Sequence, residues 1–121
     1  MDINVLVDNI KRLPDYDKVG MILCHNGVVR GTSRDGRKVN GLRVAVDQAT
    51  LERVVQTHKE RPGIIEILVQ INADCDLKVG DDVMLLAVAG DIRENVTAAL
   101  SDTLNAIKST VTTKTEYFSE T

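Results

Sequence analysis

The chain has 121 residues, 43% of them hydrophobic, and its 18 acidic and 15 basic side chains leave a formal net charge of -3. That length fits one compact domain with a real core and is short for two, while the acidic balance argues against a nucleic-acid binder, which needs a basic face to release counterions from phosphates. Tyr16, Tyr117 and Phe118 are the whole aromatic content, too little for single-strand binding by base stacking.

Asp2 follows Met1 and no run approaches the ~20 apolar residues of a membrane span, so the expectation is a cytoplasmic protein without a membrane partner. Ile3, Val5 and Val7 alternate with polar residues and predict a short edge strand, ended by Leu13-Pro14-Asp15. Residues 19–31 form a mostly apolar run broken by His25-Asn26-Gly27, which predicts a strand with a bend at the glycine. Ser33-Arg34-Asp35-Gly36-Arg37 predicts a hairpin tip, because Asp-Gly supplies the positive φ of a tight turn, and the flanking strands are expected to pair antiparallel. Leu51, Val54, Val55 and His58 recur at helical spacing after the caps Asp47 or Thr50, and Pro62-Gly63 stops that helix.

Residues 64–72 alternate and predict a strand, whereas 83–89 are uninterrupted apolar residues, as in a central strand covered on both faces. Ile92, Val96, Ala99, Leu100, Leu104, Ile107 and Val111 then mark the longest helix, which Arg93 opens and Lys108 nearly closes. The sum is an α+β sandwich with mainly antiparallel sheet and two main helices, residues 1–18 forming an N-terminal strand and turn.

Cys24 and Cys75 form no CxxC and read as two reduced thiols in or near the core, with a disulfide or redox couple as the alternative. With no metal-ligand cluster, neither metal nor cofactor is expected. The informative groups are cations beside turns and helix ends: Arg30, Arg93, Lys108 and Lys114. Arginine offers a planar fork of donors to phosphate, and lysine a compact charge. Each also has a plain structural reading. Lys108 and Lys114 could face the negative end of the helix dipole; Arg93 could pair with Asp91 or Glu94 at the surface; Arg30 could sit with Arg34, Arg37 and Lys38 on a solvated strand edge; His25 and His58 could be ordinary strand and boundary histidines.

The order Gly27-Val28-Val29-Arg30, a glycine-containing hairpin, a helix, a strand through Ile65 and Ile71, the turn Leu77-Lys78-Val79-Gly80-Asp81, the apolar strand, Arg93 and the pair Lys108 and Lys114 resembles the large, catalytic subunit of molybdopterin synthase over about residues 19–116. The resemblance implies an α/β-hammerhead fold and a role in molybdenum cofactor biosynthesis. There, cyclic pyranopterin monophosphate receives two sulfurs carried as thiocarboxylate on the Gly-Gly tail of a small ubiquitin-like subunit. It implies a homodimer at the core of a heterotetramer, Lys108 and Lys114 as catalytic residues where the carrier's tail enters, and Arg30, Arg93 and His25 on the substrate. Ser119-Glu120-Thr121 is no Gly-Gly tail, so the expectation is that this chain is not the carrier.

Three departures bear on activity. Ile92-Arg93 stands where the family has His-Arg, Asn72-Ala73-Asp74 replaces a second His-Arg, and Lys114 aligns only with one residue deleted. A non-catalytic relative that binds a carrier or an anionic ligand as a dimeric module is therefore the alternative. Fifteen positions separate Arg93 from Lys108, about 22 Å of helix rise, so a pocket using both would need two subunits.

Overall fold

The computed structural model describes residues 1–119; Glu120 and Thr121, which entered the expectation about the C-terminal residues, lie outside the described residues. In chain order the elements are α1 (Ile3–Lys11), a 3-10 turn (Tyr16–Lys18), β1 (Met21–Val28), β2 (Val39–Val46), α2 (Gln48–Lys59), β3 (Ile64–Ile71), β4 (Asp82–Gly90), α3 (Arg93–Ala106), a π turn (Ile107–Val111) and β5 (Thr112–Phe118). This is the expected α+β architecture, with all its strand pairs antiparallel: a three-stranded sheet in the order β1-β4-β3 and a two-stranded sheet of β2 and β5.

β4 organises the larger sheet. Successive side chains leave a strand on opposite faces, so Leu86 and Val88 pack with Val96 and Ala99 of α3, while Leu85, Ala87 and Ala89 pack with Leu6 and Ile10 of α1. A strand covered on both sides has no face left for polar residues, which accounts for its unbroken apolar sequence.

The first segment is a helix, not the expected edge strand. The Asp2 carboxylate accepts the Asn4 N–H at 2.9 Å and caps it. Ile3, Leu6 and Ile10 fall at three- and four-residue spacing on its buried side. Val5, one of the residues whose alternation suggested a strand, is 48% exposed. The second face of β4 decided the matter, since a helix can cover it and a lone edge strand cannot. Each of Leu6 and Ile10 contributes roughly 1.5–3 kcal/mol by that burial.

The hairpin expectation was half correct. The turn forms, with Gly36 at φ +86°, the Ser33 hydroxyl donating to Asp35, and Ser33 N–H donating to Arg37 O at 2.9 Å. Beyond a single Thr32–Lys38 bridge the two strands part. β1 is taken up along the edge of β4, and β2 pairs with β5, a strand the sequence reading placed outside any element. Leu42 and Val44 of β2 instead build a separate small core with Val29 and Leu77.

α2 begins as expected at Asp47, whose carboxylate accepts the Thr50 N–H at 3.2 Å. Gly63 follows it at φ +80°, and a Cβ there would collide with the side chains of Asp91 and Asn95, so the position excludes other residues on two counts. From Gly90 the chain turns and α3 runs back along β4, which brings Ile107 and Val111 of the π turn against Met84 and Leu51. Cys24 is exposed on β1, contrary to the expectation of a core thiol, because it shares the outward side of that strand with Asn26 and Val28; Cys75 is half-buried, and both are free.

Candidate functional site

β1 alternates strictly after Ile22: Cys24, Asn26 and Val28 are exposed, whereas Leu23, His25 and Gly27 are half-buried. Leu23 packs into the core under α3, so His25, two residues on, faces the same side further along, where α3 gives way to the π turn. Lys108 is the second residue of that turn, and Lys114 follows on β5, opposite Val44 of β2. Arg30 comes from the opposite direction. Val29 is 2% exposed and is tied on both sides to the Lys78–Asp81 turn, its N–H donating to Asp81 O and its carbonyl accepting from Gly80 N–H, both at 2.9 Å. The next residue is thereby fixed, and Arg30 Nε donates to Thr32 O at 2.6 Å, leaving its terminal nitrogens for other partners.

Three depressions of about 260, 280 and 170 Å³ all have Lys108 and Lys114 in their walls. The first adds Arg34 and an apolar floor of Val44, Ile71 and Met84. The second adds Arg30, Arg34, Ser33 and Glu116. The third adds His25 and Gly27. Two loops, a helix end and two strands thus bring four cations and one imidazole to a common cleft.

The charges are poorly neutralised. Among the described residues the sole carboxylate paired with any of the four is Glu116, 3.9 Å from Lys114, and Lys108, Arg30 and Arg34 have none. Burial pushes the His25 imidazole below its ordinary pKa, and the charge of Lys108 pushes it the same way. It is therefore neutral at neutral pH, and its Nε2 is buried without a hydrogen-bond partner. Such a cleft is suited to an anion, since charge-assisted hydrogen bonds from lysine and arginine are the strongest polar contacts available to a phosphate or carboxylate.

Of the residues the sequence singled out, Lys108, Lys114, Arg30 and His25 come together. Arg93 does not join them within this chain. It stands at the opposite end of α3 with its side chain 80% exposed, 3.5 Å from Glu94. His58 is half-buried at the end of α2, its Nδ1 3.0 Å from Val54 O, away from the cleft. The sequence reading missed Arg34, which it left among the solvated charges of the hairpin. In the structure the turn is pinned through Ser33 and Asp35 and by Arg37 stacking on Phe118 at 3.6 Å, which sets the Arg34 position. That stacking involves β5, which the sequence did not reveal.

The fold is shared with solved proteins. A molybdopterin cofactor biosynthesis protein E from Burkholderia multivorans superposes with a TM-score of 0.76 at 20% identity, covering 99% of this chain and 87% of that one. Molybdopterin synthase from Staphylococcus aureus gives 0.73 at 20% identity over 91% of this chain and 87% of that one. A complex of subunits 1 and 2 of the molybdopterin-converting factor of Helicobacter pylori gives 0.72 at 17% identity over 100% of this chain and 82% of that one. No curated protein matches the chain at a significant level. The sequence profile described as MoaE protein matches residues 2–110, nearly the whole chain, and on that match the chain belongs to the MoaE family.

Proposed function

We propose that the chain is the large subunit of a molybdopterin synthase, which moves sulfur from the thiocarboxylate of a small ubiquitin-like carrier ending in Gly-Gly to cyclic pyranopterin monophosphate. The observation that carries this reading is the convergence of three depressions on Lys108 and Lys114, with little opposing charge, in a chain of the MoaE family. Arg30 and Arg34 offer forks of donors to the phosphate. Lys108, beside the neutral His25, transfers a proton or stabilises charge as the sulfur attacks, and Lys114 orients the substrate or the carrier's tail. The carrier partner draws support from the two-subunit complex of the converting factor among the similar structures.

Arg93 lies about 22 Å along the helix from Lys108. In this reading it enters the cleft of a second copy, so the working unit is a cytoplasmic homodimer flanked by two small subunits. A second reading, a dimeric module that binds carrier or anion without turnover, draws on Ile92. This residue is 53% exposed and stands where the family has the histidine of a His-Arg pair.

The test is sulfur transfer. The protein is incubated with thiocarboxylated carrier and the pyranopterin phosphate, beside Lys108→Ala, and the dithiolene product is assayed. Product that disappears in the variant supports the synthase; carrier binding without product supports the non-catalytic module.

A further inference from the structure

Directly after Lys108 the chain runs Ser109-Thr110-Val111-Thr112-Thr113, rich in hydroxyls. A helix end leaves its last carbonyls without backbone donors, and a lysine in the last turn is one of the groups that ordinarily takes them. A lysine at 108 is well placed to do so, since helical side chains lean toward the N-terminus and lie over the preceding turn. Here hydroxyls take the carbonyls instead. Ser109 Oγ donates to Asn105 O at 2.8 Å and lies 3.4 Å from Ala106 O, Thr110 Oγ1 donates to Ala106 O at 2.6 Å, and Thr112 Oγ1 donates to Ile107 O at 3.4 Å.

The same hydroxyls fit the shape of the turn. Back-bonding serine and threonine bend helices, and Ile107–Val111 widens into a π turn, closed by the Thr112 N–H on Ile107 O. Ile107 and Val111, at its two ends, are buried against Met84 and Leu51, which fixes how the turn is rotated. Lys108 is exposed one position beyond Ile107, and its ammonium makes no hydrogen bond or ion pair among the described residues. It stands in the walls of all three depressions, whereas Ser109 and Thr110 line none of them.

We propose that Thr110, seconded by Ser109, is a positioning residue for Lys108. The two hydroxyls occupy the carbonyls at the end of α3, which would otherwise draw the ammonium back along the helix, and so leave its charge to an anion in the cleft. Lys108 touches the ligand, and Thr110 and Ser109 act through it. The inference rests on the synthase reading for what Lys108 does in turnover, and on the cleft alone for how Lys108 is aimed.

The experiment is calorimetric titration of inorganic phosphate into the wild type, Ser109→Ala/Thr110→Val, Thr110→Ser, Lys108→Ala, and the triple variant that joins the first pair to Lys108→Ala. Valine keeps the branched shape of threonine without its hydroxyl. Expected is a roughly three- to ten-fold weaker phosphate affinity in Ser109→Ala/Thr110→Val, near-normal affinity in Thr110→Ser, and no further loss when the hydroxyls are removed from Lys108→Ala. An equal loss in the Lys108→Ala background means that the hydroxyls only hold the helix end, and overturns the inference. Wild-type affinity in the hydroxyl-free pair, or phosphate binding indifferent to Lys108, overturns it as well. Thr110→Val alone is the milder change should the pair not fold, and it must show the same dependence on Lys108. Sulfur transfer by the wild type is assayed in parallel: its absence, with the phosphate pattern intact, overturns the synthase reading and leaves the positioning role standing.

Discussion

The two ends of α3 carry similar charges in different surroundings. At its start, Arg93 is exposed beside Glu94, and the Asp91 carboxylate accepts from Ile92 N–H at 2.6 Å and from the Asn95 amide at 2.9 Å. At its end, Lys108 has no carboxylate, sits near a neutral imidazole, and shares its cleft with Lys114, Arg30 and Arg34. Charge at a helix end is therefore a poor guide to function by itself. Within one chain, what separates the two ends is that Arg93 stands alone beside a carboxylate, whereas the Lys108 end gathers several cations with little opposing charge.

That contrast can be broken by substitution. The largest effect is expected at Lys108: its change to alanine should lower the sulfur-transfer rate by about 100-fold or more, the loss typical of a group that stabilises charge in the transition state, with the fold retained by circular dichroism. Next comes packing. Ile107, wholly buried beside Lys108, should cost about 2–5 kcal/mol when changed to alanine, whereas Ile92, 53% exposed at the other end, should change stability by about 0.5 kcal/mol or less; urea unfolding of the two variants reads both.

A smaller effect belongs to the Arg93–Glu94 pair. Both side chains are mostly exposed, at 80% and 67%, and such pairs contribute about 0–1 kcal/mol. Glu94→Gln should leave the melting temperature nearly unchanged, which thermal unfolding at low and high salt would check. Arg93→Ala is the sharper probe: mixed with Lys108→Ala protein, it should restore part of the activity if each cleft draws on two copies, and none if every site is built within one chain.

The two ends should also titrate in different windows. At the start, the Asp91 carboxyl lies below its ordinary pKa, held there first by the Asn95 amide and then by Ile92 N–H. The unfolded chain thus binds its proton first, so the stability from Asp91 is present above the ordinary carboxylate pKa and lost as pH falls through the folded value. At the cleft, His25 lies below the ordinary imidazole value of 6.5, so its contribution is full above that value and fades as pH falls below it. A shallow loss of stability just below pH 6.5 that His25→Gln reduces, and a separate acid loss that Asp91→Asn removes, is the expected pattern in pH-dependent unfolding.

Much of the fold was legible because burial imposes periodicity. α2 announced itself by its cap and its glycine stop, β3 by alternation, β4 by having no polar face, and α3 by its long stripe. The failures arose where local pattern and tertiary contact disagree. Ile3, Val5 and Val7 alternate, yet Leu6 and Ile10 are the residues that reach β4. The Asp-Gly turn at 35–36 is a local fact, but the partners of the strands it joins are chosen by β4 and β5. β5 has no apolar run to reveal it; only its threonines and Tyr117-Phe118, residues that suit a pleated surface, hinted at a strand. At the site, Lys108, Lys114, Arg30 and His25 were visible as residue types in a family-like order. Arg34 was not, since a charge in a hairpin is normally solvated, and nothing local to the turn shows that the cleft lies beneath it.

The most direct test of the cation-rich cleft at the Lys108 end of α3 is to titrate inorganic phosphate into labelled protein and follow the backbone and side-chain NMR signals. The account predicts saturable shifts at Arg30, Arg34, Lys108 and Lys114, joined by Arg93 where a second copy brings it to the same cleft. Shifts confined to the start of the helix, or shared weakly by every exposed cation, would contradict it.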